Sequence, residues 1–165
     1  MIAEGHHHHA GIGELRLGKA DDVLNANLGS CVGIAIGWAQ AGKMGLVHVL
    51  LPAPEDLSDI RYTRYASTAV DHVLRRMRVP KDRVGELRAV IAGGAAMYGE
   101  NGGVGAENIR EGLAALRRAR VRLIGKDVGG LKGRRLVVDC ATRKVTSILL
   151  TNPREKEIWT IPLKK

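Results

Sequence analysis

The chain has 165 residues, 45% of them apolar, with 21 glycines, two cysteines and no phenylalanine; this suits one turn-rich globular domain and argues against a disordered or fibrous chain. Lys and Arg outnumber Asp and Glu by 26 to 17, a formal net charge of +9. That excess favours an acidic partner, whereas 3% aromatics and no recognisable binding motif argue against nucleic acid. Much of the arginine sits in "LRRMRVPKDRVGELR" and "LRRARVR", which also read as solvated helix faces and loops. No apolar run is long enough for a membrane span, and no charged-then-apolar export signal opens the chain. Two cysteines without such a signal point to a reducing, cytoplasmic setting and free thiols.

In chain order, residues 1–10 with the tract "GHHHH" read as a mobile, His-containing end without a catalytic part, and residues 11–165 as one domain. The composition of the tract would suit a metal ion, but no metal site is expected. Residues 31–38 alternate: Val32, Ile34, Ile36 and Trp38 share one bulky face, and Cys31, Gly33, Ala35 and Gly37 share a small one. The small face lets another layer approach closely. "AQAGK" reads as a turn, and 44–51 as the second strand of a hairpin, stopped by Pro52. A helix is expected over 61–78, with Tyr62, Tyr65, Ala66, Ala69, Val70, Val73, Leu74 and Met77 on its apolar stripe. "ELRAVIAGG" at 86–94 reads as a strand ending in a glycine turn. A second helix is expected from near Ala106, with Ala106, Ile109, Leu113 and Leu116 facing the core. Strands follow at about 121–125, 134–140 and 145–150, and a last one near "EIWTI". This order predicts an α+β fold: a single-domain layered sandwich of mostly antiparallel or mixed sheets with two main helices.

The chemistry-bearing residues are few. Cys31 heads the first hairpin strand and His48 lies near the end of the second, so both sit at the open end of the hairpin. An imidazole within reach of a thiol takes its proton and yields the nucleophilic thiolate. The two share a face only if paired residue numbers in the hairpin sum to an odd value, which the sequence leaves open. Gly29 and Ser30 before the cysteine permit a sharp turn whose N–H groups would support an oxyanion. Against this stands a plain structural reading, with Cys31 a small buried residue and His48 a hydrogen-bonded core histidine. Cys140 reads as structural and His72 as solvated. Metal-ligand spacing such as CxxC is absent, and "IAGGAAMYGENGGVG" lacks the Walker lysine and the dinucleotide fingerprint, so it reads as a shaped loop.

Collinear segments then carry a resemblance. They are "GIGEL" at 11–15, "LGSCVGIAI" at 28–36, "HVLLP" at 48–52, "RYASTAVDHVL" at 64–74, "GGAAMYG" at 93–99, "VGAENI" at 104–109 and "DVGGLKGRRLVVD" at 127–139. With these, the chain resembles the CheD family of chemoreceptor glutamine deamidases of bacterial and archaeal chemotaxis. The resemblance implies an architecture similar to the cytotoxic necrotizing factor cysteine hydrolases. It also implies hydrolysis of receptor glutamine carboxamides through a Cys31 thioester, with His48 as base and then acid, and neither cofactor nor metal. The implied partners are the cytoplasmic domain of methyl-accepting chemoreceptors and a CheC-type phosphatase, with the protein itself a monomer. The family carries a threonine shortly before LGSC as a third active-site member. Here no threonine stands there, and Asn25, six residues before the cysteine, is the expected replacement. A catalytically weak or inactive CheD-like regulator is the alternative that this departure leaves open.

Overall fold

The computed structural model describes residues 5–97 and 103–164. These form ten strands and two α-helices. One sheet has the order β1 (His7–His9), β3 (Val23–Leu28), β8 (Arg134–Asp139), β9 (Lys144–Leu149) and β10 (Lys156–Pro162). The other has the order β2 (Leu15–Gly18), β5 (Lys43–Val49), β4 (Val32–Trp38), β6 (Arg88–Gly93) and β7 (Arg122–Val128). Pairing is antiparallel except for β1 with β3 and β6 with β7. The second exception follows from chemistry of the chain path: parallel neighbours need a crossover, and helix α2 (Gly103–Arg118) supplies it.

The two faces of β4 decide the layering. Val32, Ile34 and Ile36 are fully buried against α1 (Ala66–Arg76) and α2, in one core cluster. Cys31 and Ala35 belong to a second cluster, between the sheets, with Leu24, Leu28, Leu136 and Val138. The small face is small because the other sheet lies so near. A Cβ at Gly33 would stand 2.9 Å from Leu28 Cδ1, and one at Gly37 would stand 2.7 Å from Leu163 Cβ. The expected α+β layered sandwich is therefore sheet on sheet on helices. Each fully buried Leu, Ile or Val contributes about 1.5–3 kcal/mol to it.

The structure departs from the periodicity in three places. The helix expected over 61–78 is regular only over Ala66–Arg76, because Tyr65 is extended and bridges Leu51; a short 3-10 turn, Tyr62–Arg64, precedes it. In α2 the buried face is Gly105, Asn108, Gly112, Ala115 and Leu116, while Ala106 is exposed. The glycines sit where β6 comes close: a Cβ at Gly112 would be 2.9 Å from Ile91 Cδ1, and one at Gly105 would be 2.5 Å from the Gly94 carbonyl oxygen. Finally, His7–His9 of the supposedly mobile end is a strand, hydrogen-bonded in parallel to β3. Residues 1–4 of that end, and 98–102 of the glycine-rich loop, lie outside the described residues.

Candidate active site

The hairpin register brings the two expected residues to one face. Gly33 pairs with His48 and Val32 with Val49, so paired numbers sum to an odd value. Cys31, two residues before Gly33, is then the diagonal neighbour of His48, a relation that places residues roughly 7–8 Å apart. Both are buried, 7% and 3% exposed.

Three successive carbonyls fix the loop that carries the thiol. Gly29 O accepts from Ala95 N–H at 2.9 Å, and Cys31 O from Gly94 N–H at 2.8 Å. Ser30 O accepts from the Asn108 side-chain amide at 3.1 Å. The close approach depends on glycine: Gly93 has φ +101°, and a Cβ there would stand 2.3 Å from Cys31 O. "GGAA" thus serves as a backbone clamp for "GSC".

His48 is held on three sides. Its N–H donates to Glu14 O at 3.0 Å and its carbonyl accepts from Gly13 N–H at 2.8 Å. Its Nδ1 lies 2.9 Å from Ala10 O. A carbonyl only accepts, so Nδ1 carries the proton and Nε2 of the neutral ring keeps its lone pair. Nε2 is buried and has no hydrogen-bond partner among the described residues. Burial lowers the His48 pKa, opposed by the Ala10 bond. Burial also raises that of Cys31, opposed by its own backbone N–H. The resting pair is thus a neutral imidazole beside a neutral thiol, and Nε2 makes no bond to Sγ.

Asn25 is in β3 rather than in a turn, and its amide is not the group that orients the ring. Asn25 Oδ1 lies 2.8 Å from His9 Nδ1. Its contribution toward His48 runs through the main chain: Asn25 O accepts from Ala10 N–H at 2.8 Å, and Ala10 O holds His48. The sequence reading missed Asn108 altogether. This fully buried amide donates to Ser30 O and, at 3.0 Å, to Leu50 O, tying the loop before Cys31 to the strand end after His48. Its signal was present as the small-polar spacing Gly105, Asn108, Gly112 in one helix. His72 stays on α1, with its ring 5.5 Å from that of Tyr62.

Comparison with known proteins places the chain in a family. The family described as CheD chemotactic sensory transduction matches residues 50–147, a span that begins just after His48. A Bdellovibrio bacteriovorus protein named "Probable chemoreceptor glutamine deamidase CheD" is 36% identical over 134 residues, 78% of this chain and 86% of its own. The chain belongs to the CheD family. A CheD protein of the same printed name from Geobacillus kaustophilus is 34% identical over 90% of this chain and 94% of its own. One from Methanococcus vannielii is 34% identical over 82% and 90%. In this CheD chain Asn25, the expected replacement for the family threonine, bonds Ala10 N–H by its peptide carbonyl, which any residue supplies, and Ala10 in turn bonds the imidazole.

Proposed function

We propose that this chain is a protein-glutamine deamidase of chemotaxis, acting in the cytoplasm as a monomer on glutamines of chemoreceptor cytoplasmic domains. The observation that carries the reading is the Nδ1–H···O=C bond from His48 to Ala10, which leaves Nε2 as a base on the sheet face shared with Cys31. Nε2 takes the Cys31 proton as Sγ attacks the carboxamide carbon. Backbone N–H groups of the Gly29–Cys31 loop stabilise the oxyanion. The tetrahedral intermediate collapses by breaking the C–N bond, and Nε2–H gives its proton to the departing ammonia. Water, deprotonated by Nε2, then attacks the thioester, and glutamate leaves as the thiol regains its proton. Starting from a neutral pair, proton transfer accompanies attack rather than preceding it. The net charge of +9 suits an acidic receptor surface.

The test is incubation with a receptor cytoplasmic fragment, read by mass spectrometry for carboxamide converted to carboxylate and by ammonia release. Conversion by wild type and none by Cys31→Ser is expected; equal conversion by both would overturn the covalent mechanism. One observation favours a second reading: Nε2 makes no bond to Sγ, and burial disfavours the charged form of each group. A regulator that binds receptors or a CheC-type phosphatase would give no conversion, yet would bind its partner as well with Cys31→Ala as without it.

A further inference from the structure

The His tract that sequence reading set aside is partly built into the sheet. His6 O accepts from Val23 N–H at 2.8 Å, and His7, His8 and His9 pair with Val23, Leu24 and Asn25. Side chains alternate along an extended segment, so His6 and His8 face one way and His7 and His9 the other. His9 is engaged with Asn25 on its side. On the other side, His8 Nε2 lies 3.1 Å from Asp22 Oδ1, and His6 Nδ1 lies 3.9 Å from both Asp22 Oδ1 and Asp21 Oδ1. The ligand atoms of His6, Asp21 and Asp22 all fall within 4.8 Å of one another.

We infer that His6, His8, Asp21 and Asp22 form a binding site for one divalent transition-metal ion of the zinc class. Metal–nitrogen and metal–oxygen bonds of about 2.0–2.2 Å in a tetrahedron separate ligand atoms by roughly 3.3–3.6 Å. The separations of 3.1, 3.9 and 3.9 Å bracket that range; His8 touches Asp22 but stands outside the three-residue cluster, so it completes the tetrahedron by turning from Asp22 toward His6 and Asp21. Two imidazoles and two carboxylates suit zinc and its neighbours; magnesium prefers oxygen ligands in an octahedron. The carboxylate that contacts both imidazoles is also oriented from behind. Asp22 Oδ2 accepts from Lys19 N–H at 3.0 Å, which turns Oδ1 toward His6 and His8. His6 is largely exposed, so an ion enters without opening the fold. Bound there, the ion fastens β1 to the turn between β2 and β3. The residue after β1 is Ala10, so the site stiffens the strand that holds His48, whatever reaction His48 performs.

The experiment is a Zn²⁺ titration of the full chain after chelator treatment, by calorimetry and by competition with a coloured chelator. Wild type and His7→Ala/His9→Ala are expected to bind one equivalent with equal affinity. His6→Ala/His8→Ala should bind roughly 10–100-fold more weakly, as should Asp22→Asn, which keeps both imidazoles. Mg²⁺ should not compete. Equal weakening in the two double variants would assign binding to histidine content alone and overturn the site. So would Asp22→Asn binding as tightly as wild type, or uptake that fails to saturate at one equivalent.

Discussion

The two cysteines occupy opposite ends of one core cluster, and their surroundings differ in kind. Cys31 adjoins the end where Leu28 pairs with Arg134; Cys140 adjoins the end where Val23 pairs with Asp139. Both thiols are free and nearly equally buried. At Cys140, burial and the carboxylates of Asp22 and Asp139 push the thiol up to about 12. Gly18 packs so near it that an added Cβ there would lie 2.8 Å from its Sγ. At Cys31 no carboxylate among the described residues contributes, its own N–H opposes the effect of burial, and an imidazole with a fixed lone pair shares its face. Burial alone therefore does not distinguish the two thiols. The sign of the neighbouring charges and the availability of a proton acceptor do.

The sharpest way to break this contrast is to remove the acceptor. His48→Ala should lower glutamine conversion by roughly 10²–10⁴-fold, the range of a lost general base, while Cys140→Ser leaves it unchanged; a matching loss in both variants would erase the distinction. Next is alkylation, followed by peptide mass spectrometry. Raised pKa values mean that labelling of both thiols climbs with pH, and Cys31 should lead Cys140 by about ten-fold or more near neutrality. A third comparison sets two glycines against each other. Gly93→Ala meets a backbone oxygen at positive φ and should cost about 1–3 kcal/mol in denaturant unfolding. Gly18→Ala meets side chains only, the Cys140 sulfur, Leu24 Cδ2 and Asp22 Cβ, with no backbone atom in the way, and should cost less and spare turnover. Asn108→Ala strips Ser30 and Leu50 of their shared donor, at a cost of about 1–3 kcal/mol. It should change the labelling rate of Cys31 and leave that of Cys140 alone. The smallest effect belongs to Asn25→Ala, expected within about 0.5 kcal/mol of wild type and at normal turnover; a large loss of turnover would return the orienting role to its side chain.

Much of the hairpin was legible because alternation states both its faces: three small residues on one side of β4, with Cys31 just before them, announced a close second layer. The register parity was posed by the sequence but not answered, since it depends on long-range pairing with β6 and β2 as well as on the turn. On α2 the apolar stripe was legible at Ile109, Leu113 and Leu116, which pack into the core, and failed at Ala106, which is exposed. Hydrophobic periodicity gives no weight to Gly105 and Gly112, although they mark the closest contacts of the helix, and it penalises Asn108, which sits between them. β1 was invisible for a related reason: four consecutive histidines carry no apolar pattern, and their strand identity comes from the ladder to β3. Ala10 could not be found by side-chain reasoning at all, because it acts through its peptide oxygen.

That last feature changes how the site can be lost. A side-chain partner of an imidazole is removed by one substitution, but every amino acid at position 10 brings a carbonyl, and the fully buried alanine restricts the position mainly in size. The vulnerable property is instead the count of residues between Ala10 and Glu14, since Gly13 and Glu14 bond the main chain of His48 while Ala10 bonds its ring. Deleting one residue between them would pull the Ala10 carbonyl out of step with either Asn25 or His48. In this molecule the tautomer of His48 is secured by the spacing of one short segment, so insertions and deletions there, rather than point changes, are the mutations to which it is exposed.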